Sequence, residues 1–547
     1  MSLWFASDEN SRQRLTGQGV SKKRYCRMMG LIDFVGELDT FQLACLVLAT
    51  GMLLWDTVEV GRNDAANLVN AVFGARVLQR RTAIIVAGIA VIAGATLSSD
   101  VIDTARKGIF DPTKLDALKA ALAIYCSVYI VDTILLYGYS AFGMPVSTTA
   151  CLVFELLGAA VAINFTVVNW NKAGTVLMGI VCSIIITGIA AFMIQRAARG
   201  AIRDRAQHLP TLLLHGGWVG GGLTAGLCYF LLLKGMKNVA AVKHIKSEYL
   251  DTIGDLPAII ILWGVFAIII HLALVVYRKR AAKLLFPMLA IFGMVSMAFA
   301  FGQNDLANCA SPGLATVNLL KERSVEIATK MDIDRRLLFL CGILLFIGMA
   351  TKNSERVTKM QIAAGSMGDH VKLWAPRWCM DLARWALHFR KEAPALAPRL
   401  TLNQAGKTIH YDTLRASVIM AVSASVIATA SSLGLPVSTT YVAFAAVIAT
   451  GMADRIFQRG DAELKVGRSI WVVTSWFLAA VIAAVCAGVV ARSIYHLEIA
   501  GMAICLLANL ALRFYLKKRG DAQAARISEE AYERTHPDAF ALEEEGA

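Results

Sequence analysis

Gly61-Arg62-Asn63-Asp64-Ala65-Ala66-Asn67 closes one membrane-length apolar segment, and Gly302-Gln303-Asn304-Asp305-Leu306-Ala307-Asn308 closes another. A second pair follows in the same order, Pro145-Val146-Ser147-Thr148-Thr149 and Pro436-Val437-Ser438-Thr439-Thr440. Burying a carboxylate and two amides at bilayer depth costs several kcal/mol unless they meet partners or a ligand. A chain that does so twice, in matching contexts, carries a site built from two halves.

The surroundings of these motifs set the class. The 547 residues are 57% hydrophobic and 17% charged, with a mean hydropathy of +0.57, outside the range of ordinary soluble domains. Apolar windows of about 17–25 residues, enough for a helix to cross the hydrocarbon core, lie near 40–58, 82–99, 117–137, 145–164, 173–194, 211–233, 257–277, 285–301, 336–351, 413–432, 436–452, 470–490 and 497–515. Residues 64–78 and 304–318 are too interrupted for simple crossings and read as half-helices or re-entrant segments. The expected fold is an all-α, polytopic helical membrane bundle of two duplicated halves with broken or re-entrant helices, in roughly ten to thirteen membrane segments.

A net charge of +14 raises nucleic acid as a partner, but the basic residues sit at the ends of apolar segments, which excludes a basic recognition face. Positive-inside topology accounts for them, with Arg196, Arg199, Arg203 and Arg205 on the same side as Arg278, Lys279, Arg280 and Lys283, two spans apart. Residues 1–38 are polar, carry Lys22, Lys23, Arg24 and Arg27, and precede a full-length span, so no cleavable signal is expected. The partner surface is the lipid bilayer, and the expected location is the cell membrane of a bacterium, with a homodimer left open. The cysteines sit mostly in apolar stretches without a CxxC and read as small buried hydrophobes.

The sequence divides into a polar segment 1–38, a first membrane repeat 39–195, a connecting region 196–283 with two spans, the second repeat as 284–352 and 413–515, a polar insertion 353–412 and a charged tail 516–547. From Asn63 to Ser147 is 84 positions and from Asn304 to Ser438 is 134, and the insertion supplies the difference. Trp374, Trp378 and Trp385 beside Arg377, Arg384 and Arg390 suit an amphipathic helix on the cytoplasmic membrane surface, or a solvated loop with a small core of its own. The glycines 216, 217, 220, 221, 222 and 226 allow close helix approach in the connecting region.

On a helix, Asn63 and Asn67 share a face and Asp64 neighbours Asn67, and Asn304, Asp305 and Asn308 repeat that geometry. A single copy reads as a helix cap with a polar first turn. Two copies read as two faces closing on one ligand. Pro-Val-Ser-Thr-Thr fits a helix start, whose free N–H groups and hydroxyls suit an anion, although a lone Ser-Thr-Thr run ordinarily caps its own backbone. Hydroxyl donors beside carboxylates suit an oxyanion that keeps a proton, which favours phosphate over sulfate. Ser147, Thr148, Thr149, Ser438, Thr439, Thr440, Asn67 and Asn308 are therefore the candidate phosphate donors. Asn63, Asp64, Asn304 and Asp305 serve substrate or a coupling ion, Na⁺ at Asp64 and Asp305 being one of the two alternatives, and residue identity does not divide the roles.

These four motifs in this order resemble the inorganic phosphate transporter family, whose two signatures read approximately G-A-N-D-V-A-N and P-V-S-T-T-H in each half. The resemblance covers most of 40–195 and 284–495, and Asp103-Thr104-Ala105-Arg106-Lys107-Gly108-Ile109 is similar to a stretch that follows the first signature in many members. It implies cation-coupled uptake of phosphate by symport with Na⁺ or H⁺ in an inverted-repeat bundle, with the signature residues around phosphate and coupling ion. Departures stand out. Arg62 and Gln303 replace the usual Ala, Ala150 and Tyr441 replace the usual His, and Ala90 sits where sodium-coupled relatives often carry an acid. Arg62 either pairs with Glu59 one turn away or meets phosphate directly, and Gln303 is its counterpart.

An enzyme is excluded by the lack of an HExxH, a GxSxG or a phosphate-binding Gly-Lys-Ser/Thr loop, and no cofactor is implied. The readings that stay open are a passive anion channel and a carrier of sulfate or of a neutral metal–phosphate complex, which brings its own counter-charge.

Overall fold

A computed structural model describes residues 33–97, 109–115, 117–236, 251–323, 334–368, 371–388, 409–458 and 460–535, with single positions between 242 and 248. Residues 1–32, most of the Asp103–Ile109 stretch, the end of the polar insertion and the acidic terminus lie outside the described residues. Apart from an isolated bridge between Phe110 and Val168, the regular structure described is helical.

The first half begins with α1 (Thr40–Gly74), whose N-terminus is fixed by a capping box between Asp39 and Gln42. It continues with α2 (Arg80–Thr96), α3 (Leu118–Ala141), α4 (Thr148–Ile163) and α5 (Trp170–Ile202). After α6 (Leu209–Cys228), α7 (Asp255–Glu322) breaks at Arg278, where φ is 44° and ψ −119°. The second half adds α8 (Arg335–Met349), α9 (Lys352–Ala364), α10 (Arg377–His388), α11 (Thr413–Ser432), α12 (Thr439–Ala453) and α13 (Ala462–Thr535), itself broken at Glu498.

Among the described residues seven helices are long and apolar enough to cross a membrane, or eight when the bent pair α8–α9 is taken as one span. At 1.5 Å per residue an unbroken α7 would run about 100 Å, three times a bilayer core. The breaks at Arg278 and Glu498 thus make two crossings of each long helix, and α4 and α12 are shorter apolar helices. Residues 64–74 and 304–318, read from the sequence as half-helices or re-entrant segments, instead continue α1 and α7 without a break, because their polar residues find partners inside the bundle. Ile185, Ile189, Met193, Phe477, Val481 and Val485 stand exposed along α5 and α13, as lipid-facing residues do.

The halves interlock through glycine. Gly61 on α1 lies against the backbone of Leu345 on α8, while its counterpart Gly302 on α7 lies against the backbone of Val91 on α2. The return contacts match, with Gly348 on Val58 and Gly94 on Phe299. In each of these places a Cβ would overlap the facing main chain. Each signature helix therefore packs on the helix that follows the other signature, and the exchange brings the two signatures together at the centre.

Between the basic clusters, α6 and the first segment of α7 run antiparallel, since Gly222 meets Trp263, Gly221 meets Ala267 and Gly217 meets His271. Arg203 and Arg278 consequently lie at the same end of the bundle. In the polar insertion, α9 buries Val357, Thr358 and Gln361. Farther on, α10 buries Cys379 and Ala383 against α13 and leaves Trp378, Leu382 and Trp385 exposed.

Candidate functional site

Each Pro-Val-Ser-Thr-Thr run opens a helix after a tight turn. Gly143 and Gly434 take the same left-handed conformation, φ 64° and 65°, four residues before Ser147 and Ser438. Ser147 Oγ accepts the Ala150 N–H at 3.0 Å and Ser438 Oγ accepts the Tyr441 N–H at 3.1 Å, so both serines are helix caps. That frees the threonines to look inward.

The carboxyl of Asp64 receives hydroxyls from both halves: Thr440 Oγ1 donates to Oδ1 at 2.8 Å and Thr148 Oγ1 donates to Oδ2 at 3.3 Å. Asp305 mirrors it, with Thr149 Oγ1 at 3.5 Å from Oδ1 and Thr439 beside the carboxyl. The amides close the ring. Asn67 Nδ2 donates to Asp64 Oδ1 at 3.0 Å and Thr440 Oγ1 at 2.9 Å, and Asn308 Nδ2 donates to Asp305 Oδ1 at 2.8 Å and to the hydroxyls of Thr148 and Thr149 at 2.9 Å.

Asn63 and Asn304 do a different task, each clamping the Pro-Val-Ser turn of its own half. Asn304 Nδ2 donates to the Val437 carbonyl at 2.7 Å, and the Val437 N–H returns to Asn304 Oδ1 at 3.4 Å. Asn63 Oδ1 accepts the Val146 N–H at 3.1 Å while its Nδ2 donates to Ser140 Oγ at 3.1 Å and the Met144 carbonyl at 3.3 Å. The carbonyls of Val146 and Val437 accept from Thr440 and Thr149, at 3.0 and 3.1 Å. Sequence reasoning passed over these valines because a backbone group leaves no trace in residue identity.

All of these side chains are essentially sealed from solvent. Four oxygens nonetheless lack a hydrogen-bond partner: Asn67 Oδ1, Asn308 Oδ1, Asp305 Oδ2 and Thr439 Oγ1. A buried acceptor with no donor is costly, and the Asp64 and Asp305 carboxyls are close enough to repel one another. Buried amide and carboxylate oxygens without donors suit a hard cation.

Arg62 takes the ion pair rather than this site. Its Nη1 donates to Glu59 Oε2 at 2.6 Å and its guanidinium lies over Tyr137. Gln303 Nε2 donates to the Gly235 carbonyl at 2.9 Å. Among the described residues no Lys or Arg hydrogen-bonds to Asn63, Asp64, Asn67, Asn304, Asp305 or Asn308.

The profile of the phosphate transporter family matches residues 60–361 and 396–488. The chain belongs to the phosphate transporter family. Within this family it is 25% identical over 458 residues to a Pyrococcus horikoshii protein that carries the name phosphate permease, across 83% of this chain and 97% of that one. A Thermococcus kodakarensis protein of the same name is 26% identical over 458 residues, covering 82% of this chain and 96% of its own. Among solved structures, one titled the sodium-dependent phosphate transporter superposes with a TM-score of 0.61 at 20% identity, over 82% of this chain and 98% of that chain. The fold is thus that of a polytopic helical membrane transporter.

Proposed function

We propose that this phosphate transporter family member imports inorganic phosphate across a bacterial cell membrane by symport with a cation, Na⁺ or H⁺, and that both ligands bind at the interlocked signatures. The observation that carries this reading is the pair Asp64 and Asp305, each facing threonine hydroxyls of both halves beside buried oxygens without partners. The hydroxyls and the helix starts behind them offer donors to phosphate. The carboxyls accept a hydrogen bond from a protonated phosphate oxygen, or hold the cation that offsets its charge.

A second reading has one observation in its favour. With Arg62 spent on Glu59, no Lys or Arg among the described residues hydrogen-bonds to the signature carboxyls and amides, so a neutral metal–phosphate complex would fit the same donors.

Uptake of radiolabelled phosphate into proteoliposomes under an imposed Na⁺ gradient, an H⁺ gradient and neither tests the proposal. Accumulation above equilibrium under one gradient is expected and names the ion; with excess positive charge it gains about 2.3 kcal/mol per charge per 100 mV of inside-negative potential. Equilibration regardless of gradient would make the protein a channel or uniporter. Loss of flux on chelating divalent ions would favour the metal complex, and equal competition by sulfate would remove the preference for a protonated anion.

A further inference from the structure

Two helical turns from the signatures lies a second group of buried acids. Asp56 precedes Asn63 by seven positions on α1, and Glu155 follows Thr148 by seven on α4, which carries both about 10 Å along their helices from the Asp64–Thr148 contact. Asp132 on α3 joins them. Each is at most 1% exposed, and neither oxygen of Asp56, neither oxygen of Glu155, nor Oδ1 of Asp132 has a hydrogen-bond partner. The Asp56 and Asp132 carboxyls lie side by side, placed so that a proton on one would make a hydrogen bond to the other, and Glu155 is within electrostatic reach of both.

Packing does not require acids here. In the register that aligns the two halves, Asp56, Asp132 and Glu155 correspond to Met297, Ser423 and Ala446, which are buried just as deeply. One half fills these positions with small or apolar groups, and the other fills them with three carboxyls.

The charges that surround them do not balance. Glu59, on the same helix, accepts both nearby guanidiniums, Arg62 at 2.6 Å and Arg513 from α13 at 2.9 Å. Arg513 is further committed to the Thr133 carbonyl and Asn509, although its charge is felt at Asp56. The other titratable neighbours are Tyr129 on α3, Cys151 on α4, Cys309 on α7 and Cys486 on α13, with Cys341 on α8 beside Cys309. None of these supplies a positive charge. Four carboxyls therefore face two guanidiniums in a dry setting, where an unpaired ionised carboxylate is prohibitively costly. Among the described residues no three acidic, His or Cys side chains are arranged to hold a metal ion, whereas a protonated carboxyl gains a donor for its neighbour.

We propose that Asp56, Asp132 and Glu155 form a proton-binding site, separate from the signature cluster, that is occupied in the state seen here and exchanges its proton as the protein cycles. The cycling part rests on the transport reading above; the protonation stands without it.

Infrared spectroscopy of the purified protein tests the proposal. At neutral pH the wild type is expected to show a protonated-carboxyl C=O stretch that Asp56→Asn, Asp132→Asn and Glu155→Gln each diminish, and addition of inorganic phosphate with Na⁺ should perturb that part of the band. Near-isosteric substitutions keep the shape, and should one variant not fold, the other two carry the assignment. A band that none of them changes overturns the proposal. So does binding of radiolabelled Na⁺ that falls by one equivalent in Glu155→Gln with the band unaltered, because the cluster would then be a Na⁺ site. If the wild type moves no phosphate in liposomes, the transport reading fails while the infrared result still decides the protonation.

Discussion

Thr440 donates its hydroxyl to Asp64 across 376 residues of chain, and Thr149 approaches Asp305 in the reverse sense, so each half lends a hydroxyl to the other half's carboxyl. The two crossings are unequal, 2.8 Å against 3.5 Å. Thr440→Val leaves Asp64 short of a donor and the Val146 carbonyl without its partner. At about 1–3 kcal/mol for a buried group left unsatisfied, phosphate uptake should lose roughly tenfold to a hundredfold in kcat/KM. Thr149→Val, which removes a longer contact to the carboxyl, should lose less. An unimpaired Thr440→Val protein would show that the crossed hydroxyls are scaffolding alone.

Asp64→Asn and Asp305→Asn keep the size of the side chain and remove the charge where the two signature carboxyls repel one another, sealed from solvent. Each should lower uptake by at least about 100-fold, the range seen when a preorganised charged partner is lost, while gel filtration and melting temperature stay close to wild type. Normal uptake by either protein would remove the signature cluster as the binding site.

The duplicated motifs made the two-half architecture and the composition of the site legible before any coordinates, because an Asp with two Asn at helical spacing at the end of an apolar span has few bland explanations when it recurs. The division of labour was not legible. Ser147 and Thr148 are adjacent and chemically alike, yet one caps its helix and the other reaches Asp64, a difference set by the turn at Gly143. Nor did the sequence show that α1 packs on α8 and α7 on α2, since a glycine records close approach without naming its neighbour. Asp132 and Glu155 each stand alone in an apolar window without a repeated motif, and only a lone acid at bilayer depth marks them in the sequence.

The interlock predicts a sharp difference among glycines on helices. At Gly61 and Gly302 a methyl group meets facing backbone, which cannot rotate aside as a side chain can, whereas at Gly174 on α5 it meets nothing within 4 Å. Gly302→Ala should destabilise the protein by about 1–3 kcal/mol or more through overpacking, and Gly61→Ala likewise. Gly174→Ala should be neutral or slightly stabilising, since alanine favours helix. Thermal unfolding in detergent reads all three, and equal midpoints for Gly302→Ala and wild type would contradict the exchanged packing.

Outside the spans, His410 ties the end of α1 to the start of α11. Its N–H donates to the Gly74 carbonyl at 2.9 Å, its carbonyl accepts from Met367 at 2.9 Å, and its Nδ1 lies 2.9 Å from Ser366 Oγ. Burial, reinforced by the nearby Arg76 charge, pushes the imidazole down from 6.5 to about 4. The folded protein therefore holds His410 neutral, while the unfolded chain takes up a proton below about pH 6.5. The stabilisation is complete above that value and is lost as pH falls toward 4, by up to about 3 kcal/mol. Melting midpoints should decline between pH 6.5 and 4 in the wild type, and His410→Gln, which cannot be protonated in this range, should flatten part of that decline. Parallel curves for the two proteins would mean that His410 is charged in the fold and that its ties to Gly74 and Ser366 survive protonation.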